Sequence, residues 1–158
     1  MYKRQVVVRE LAAAWQLVAA ALPAYEWRGR QWPDNPQVMP LALITVAWNG
    51  DFGTFSPELL GQHCPEFGDF VIGNVGRSGY VAALQSPLMQ RLWPAIAAGI
   101  EACERRCAYF AYCGGGAPAN KWFENADLSS TETLYCRSML QRPFDAVLGR
   151  LERERESA

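Results

Sequence analysis

The 158-residue chain is half hydrophobic and one-fifth charged, enough for one globular domain or one large fragment burying about two thirds of its unfolded surface, and too short for a large multidomain enzyme. Fifteen basic against sixteen acidic side chains leave a net charge of -1, so no electrostatic footprint for nucleic acid or an anionic membrane is present and neither is expected as a partner. The longest apolar stretch, Leu11 to Pro23, is interrupted by Gln16; it is shorter than the roughly 18–20 residues of a membrane span and lacks a signal-peptide cleavage site, so a cytoplasmic chain is expected.

From Val7 to about Leu22 the chain is rich in alanine and leucine, and Leu11, Trp15, Val18 and Leu22 keep one helical face. Pro23 should end that helix, and the prolines at 33, 36 and 40 read as a linker between two units. Leu41 to Trp48 is apolar and β-branched, Asn49-Gly50 is a hairpin signal, and Asp51 to Phe55 can return as the partner strand. Phe70-Val71-Ile72, before the Gly73-Asn74 turn, is a third strand candidate. Helical patterns follow over Ser78 to Leu84 and Pro87 to Cys103, the second with Ser86 as N-cap, Pro87 at the first helical position and Pro94 as a kink or division. Gly114-Gly115-Gly116-Ala117-Pro118 should prevent regular structure directly after Cys113. The last helix is expected to open on Ser129-Ser130-Thr131-Glu132, pass through Cys136 and kink at Pro143, with a frayed, charged tail from Leu151 to Ala158.

Five cysteines and a single histidine, His63, distinguish the composition. An odd count with no export signal favours a metal site or a reactive thiol over a disulfide framework, and any metal site must be rich in thiolate. Cys103, Cys107, Cys113 and Cys136 lie within 34 positions, around the triple glycine; Cys64 stands apart and reads as a buried or free thiol. Three thiolates on a short loop and one on a later helix can converge on a tetrahedral zinc or on an iron-sulfur cube. The glycines favour the cube, because bare backbone can approach the sulfides and donate N–H bonds that offset their negative charge. Buried thiols, two disulfides and zinc remain as alternatives, although the C-x3-C spacing is less usual for zinc than C-x2-C. Cys103-x3-Cys107 imitates the start of the C-x3-C-x-aromatic-C loop that holds a radical-generating cluster, but position 110 is Phe. With Cys136 as a fourth ligand no iron is left open, so the expected role is structural or electron-relaying.

These residues resemble the C-terminal auxiliary-cluster domain, called SPASM, of radical S-adenosylmethionine peptide maturases. That family's pattern is C-x9-15-G-x4-C, then C-x2-C-x5-C-x3-C, then a distant Cys. Cys103, Cys107 and Cys113 fit the first three positions of the run with one extra residue in the first gap, and Cys136 fits the distant ligand. The fourth position of the run is Ala117, Phe55 stands where the family has Cys after Gly50-x4, and no cysteine precedes Cys64. The resemblance therefore implies one retained auxiliary [4Fe-4S] cluster, with Cys103, Cys107, Cys113 and Cys136 as both metal and cofactor ligands and no catalytic residue in this chain.

The strings from Phe55 to Gly61, Gly68 to Val75 and Cys113 to Lys121, with Glu124, are similar to the cyclophane-forming maturases of glycine-rich-repeat precursor peptides, the GrrM/OscB type, over about Gln37 to Leu148. That similarity implies an α+β fold: a small β-hairpin and helices around a SPASM-like cysteine loop, preceded by a helix left from a radical S-adenosylmethionine partial barrel. It implies crosslinking of a ribosomal precursor peptide, with S-adenosylmethionine and a second [4Fe-4S] cluster held only by a core of roughly two hundred residues that this chain lacks, so that this chain alone is inactive. Residues 1–5 resemble translated sequencing adapter, with an ordinary basic N-terminus as the alternative. The expected organisation is then 6–36 as helix and linker, 37–150 as the cluster domain and 151–158 as tail. A stand-alone thiolate-zinc module and a split cluster-carrying partner of a separate radical enzyme are the competing readings. Tyr109, Phe110 and Tyr112 are expected to shield the cluster from water. Asn120, Lys121 and Glu124 are expected to be solvated loop residues, or else contacts to peptide or a neighbouring domain.

Overall fold

The computed structural model describes residues 8–20, 24–27, 30–33 and 35–157; the adapter-like residues 1–5 and Pro23 lie outside them. The fold is α+β. Helix α1 (Arg9–Ala19) is followed by an antiparallel pair, β1 (Ala24–Trp27) and β2 (Arg30–Pro33), in the register Tyr25 opposite Trp32. A paired hairpin thus occupies much of the expected linker. The alternating Tyr25-Glu26-Trp27 and Gln31-Trp32 around Arg28-Gly29 carry the aromatic strand signal that the prolines outweighed.

A second, three-stranded antiparallel sheet has the order β3-β4-β5. Strand β3 (Ile44–Val46) pairs with β4 (Asp51–Thr54), Val46 opposite Phe52. The Ala47 N–H donates to Asp51 O (2.7 Å) and that of Gly50 to Ala47 O (2.9 Å), and Gly50 takes φ +85 at the loop's left-handed position. The third strand is β5 (Gly73–Asn74), paired with Asp51 and Phe52, not Phe70-Val71-Ile72. Those three residues end and follow a pair of tight turns over Pro65–Phe70, and buried Phe70 and Ile72 give their apolar weight to the core.

Short α2 (Tyr80–Leu84) leads to α3 (Pro87–Arg106), whose first turn is capped where the Met89 N–H donates to Ser86 Oγ (3.2 Å). Pro94 does not divide α3, which runs unbroken for 20 residues. Its buried side chains Leu92, Ile96 and Ile100 carry the first core together with Phe52, Phe55 and Leu59. Phe55 has φ +74, which costs an L-residue about 1–2 kcal/mol. Full burial of the ring is worth about 1.5–3 kcal/mol, and it stacks on Trp93 at 5.9 Å and 8°, adding about 0.5–1.5 kcal/mol. Burial outweighs the backbone cost.

Beyond α3 come α4 (Phe110–Cys113) and α5 (Pro118–Asn125); the glycine run directly after Cys113 is irregular up to Ala117, as expected, and α5 begins on Pro118, a residue suited to a first helical position. The last helix starts later than the Ser129 capping box predicts. Asp127 instead accepts from the Ser129 N–H (2.8 Å), and Thr133 caps α6 (Leu134–Cys136) by accepting from the Cys136 N–H (3.1 Å). A π-turn over Arg137–Gln141 then passes into α7 (Arg142–Glu156). The π-turn absorbs Pro143, which has no N–H and would crowd the carbonyl one turn back. The expected frayed tail is helical to Glu156. A second core forms where α7 meets α1 and α4: Phe144, Val147 and Ala14 are buried, with Tyr109, Tyr112 and Leu140 packed on them. Among the described residues no helix is long and apolar enough to cross a membrane.

Candidate metal centre

The four clustered cysteines line one cavity of about 710 Å³. Cys103, buried, lies in the last turn of α3; Cys107 caps its C-terminus through its N–H to Cys103 O (2.8 Å). Cys113 closes α4, where the Gly114 N–H donates to Phe110 O (2.9 Å) and Gly114 takes φ +61. Gly115 (φ +98) and Gly116 (φ +73) continue the left-handed run, a backbone path that only glycine adopts cheaply. It presses so near α3 that a Cβ on Gly115 would lie 3.2 Å from Ile100 Cα. Asn35 holds this loop from far along the chain, its Nδ2 donating to Cys113 O (2.8 Å) and Gly116 O (3.3 Å).

Cys136 is placed by different contacts. The Glu124 carboxylate accepts from the Leu134 N–H and from the Tyr135 N–H (3.2 Å), and Asn125 Nδ2 donates to Glu132 O (3.0 Å). These bonds clamp α5 to the start of α6. The π-turn sets Gln141, five residues on, above Cys136, where its Nε2 donates to Cys136 Sγ (3.4 Å). Thr133→Ala should cost about 1 kcal/mol through loss of the cap, measured as a lower urea midpoint at unchanged slope.

All five cysteines are free. Among the described residues no group of three or more His, Cys, Asp or Glu side chains is gathered tightly enough to hold a metal ion as the chain stands; the four thiols share the lining of one cavity. Burial raises the Cys103, Cys113 and Cys136 thiols, Cys113 to about 11, and neighbouring cysteines, Cys107 among them each time, add to the rise. Against this, Lys121 lowers Cys103, and Gln141 lowers Cys136. A metal binding here must displace thiol protons, so loading releases acid.

Lys121 corrects the expectation of a solvated loop residue. It is 3% exposed and its Nζ donates to Cys103 Sγ (3.6 Å). Burial lowers its pKa, while the Cys103 sulfur opposes that shift. Asn120 lines the cavity, and Glu124 serves as the clamp described above. Of the three aromatic residues expected around the ligands, Tyr109 lines the cavity and its hydroxyl donates to Asp145, which pushes the phenol up to about 12. Phe110 packs on the first core, and Tyr112 on Phe144 at 4.5 Å. Cys64 is buried in the first core, its N–H donating to Asp69 Oδ1 (2.7 Å).

Sequence reasoning missed Asn35, Gln141 and the burial of Lys121. Only the last left a signal: the chain has two lysines among its 15 basic residues, and one of them follows the glycine loop.

The residues described so far define an α+β chain with a four-thiol cavity. Over 113 residues, 72% of its length, it is 42% identical to a protein of Synechocystis sp. that bears the name uncharacterized protein sll1766; the matched stretch spans 28% of that relative. No family model matches the chain, and no solved structure does.

Proposed function

We propose that this chain is the auxiliary-cluster part, SPASM-like in fold, of a radical S-adenosylmethionine maturase that forms cyclophane crosslinks in a glycine-rich ribosomal precursor peptide in the cytoplasm. The observation that carries the reading is the convergence of Cys103, Cys107, Cys113 and Cys136 on one cavity. The cavity, about 710 Å³, has room for a body with several metal corners, and four thiolates are the ligand set that a [4Fe-4S] cube takes. The glycine loop offers backbone unobstructed by side chains on the Cys113 side. Bound there, a [4Fe-4S] cluster would supply one-electron transfer.

The chain's own residues then have distinct tasks. Asn35 and the three glycines fix the Cys113 loop, Glu124 and Thr133 fix Cys136, and Tyr109 covers one side of the cavity. A single cluster is favoured over two because Phe55, at a position where the resemblance would place a ligand, is a fully buried ring stacked on Trp93, and Cys64 is enclosed in the same core. The relative is more than three times as long as the stretch it shares, which leaves room for a radical-generating barrel of roughly two hundred residues. S-adenosylmethionine, the second cluster and much of the peptide contact would belong to such a core.

Anaerobic reconstitution of the chain with iron and sulfide tests the reading. The expected product is brown, with about four irons per chain. A colourless protein holding one zinc overturns it in favour of a thiolate-zinc module. Sequencing the genomic region upstream separates a part of one maturase, with an in-frame barrel, from a partner of a separate radical enzyme.

A further inference from the structure

We infer that Lys121 is a positioning residue of the thiolate centre: its ammonium, held inside the protein against the Cys103 sulfur, offsets the charge of a bound cluster and raises the potential at which that cluster accepts an electron. The inference rests on the cluster reading and deepens it.

Three observations converge on Lys121. The side chain is 3% exposed, and an ammonium withdrawn from water to that degree is costly unless an anion compensates it. Its hydrogen-bond partner is sulfur, Cys103 Sγ at 3.6 Å, a weak acceptor as a thiol and a strong, charged one as a thiolate. The scaffold also leaves space for it: a Cβ on Gly99 of α3 would lie 2.9 Å from Lys121 Nζ and 2.4 Å from Leu128 O, so the helix is bare where the ammonium passes. Lysine suits the position as a compact point charge with three rotatable donors, whereas the wide guanidinium fork of arginine does not. Arginine is nonetheless this chain's habitual cation, since Lys3 is the one other lysine among 15 basic residues.

The electrostatic consequence is directional. Four thiolates make a bound [4Fe-4S] centre negative, and one electron from a low-potential reductant such as dithionite makes it more so, with no bond formed or broken and no proton moved. A fixed cation beside one ligand stabilises the more negative, reduced form most.

The test is a redox titration of the reconstituted full chain, read by electron paramagnetic resonance, for wild type, Lys121→Met and Lys121→Gln. Both variants should keep about four irons. Their reduced-to-oxidised ratio at a given potential should fall at least tenfold, a midpoint lower by about 59 mV or more. Variants with full iron and an unchanged midpoint overturn the inference and leave the cluster reading standing; a wild-type chain that takes up no iron overturns the cluster reading itself. A second measurement needs no variant. With the lysines selectively labelled with nitrogen-15, the loaded wild type should show one of its two side-chain ammonium resonances shifted or broadened by the paramagnetic centre, and two unperturbed resonances would overturn the inference equally.

Discussion

Cys113→Ala, reconstituted anaerobically, is expected to hold far less than the about four irons of the parent chain, while Cys64→Ala holds the full complement. Cys113 ends α4 at the point where the glycine run turns back, and its carbonyl is gripped by Asn35. No other free thiol can replace it, since Cys64 is enclosed in the first core. Because a ligand that binds only the folded state stabilises it by mass action, the loaded parent should exceed the variant by about 4 kcal/mol at a thousandfold excess over Kd. Iron analysis and thermal melting with and without chelator measure both effects. Full iron in Cys113→Ala would remove that residue from the ligand set.

Phe144→Ala should produce the largest loss of stability that does not touch a ligand, about 3–5 kcal/mol. Phe144 is 1% exposed. Its ring meets Tyr112 at 4.5 Å and Tyr109 edge-on at 6.3 Å, joining α7 to the segment that carries Cys107 and Cys113. At roughly 2–4 °C per kcal/mol for a chain of this size, the melting temperature should fall by about 10 °C. The variant should also load iron more slowly, since the loop between Cys107 and Cys113 loses its backing. A fall of under about 2 °C in a scanning melt would mean that the second core contributes little.

The sequence carried the long helix α3 and its cap almost intact, because Ser86-Pro87 is a local signal and the apolar period over Leu92, Ile96 and Ile100 is regular. The Asn49-Gly50 hairpin was legible for the same reason. What failed depended on distant partners. Phe70 and Ile72 look like strand residues because they are apolar, but the residues in register with β4 are Gly73 and Asn74, whose own chemistry says turn, and Ile72 only leads into them, its N–H donating to Phe52 O (2.9 Å). Ser129 to Glu132 has the letters of a capping box, yet Glu124, ten residues upstream, pulls the helix start to Leu134. At the cavity, spacing brought out the four thiols together, since the cysteines stand close in sequence. Asn35 left no trace: its bond to Cys113 O spans 78 residues, and an asparagine before a proline reads as a turn. The burial of Lys121 follows from the absence of a side chain at Gly99, which no pattern within α5 records.

Both cores reach the cavity, Ala119 from the first and Tyr109 and Leu140 from the second. Cys103 is borne by the helix that carries the first, whereas Cys113 and Cys136 stand next to elements that pack into the second. A centre gripping all three would therefore be a rivet between two bodies of separate hydrophobic packing. Were the proposed cluster bound, the bodies would melt as one unit, and without it each would keep only its own reasons to stay folded.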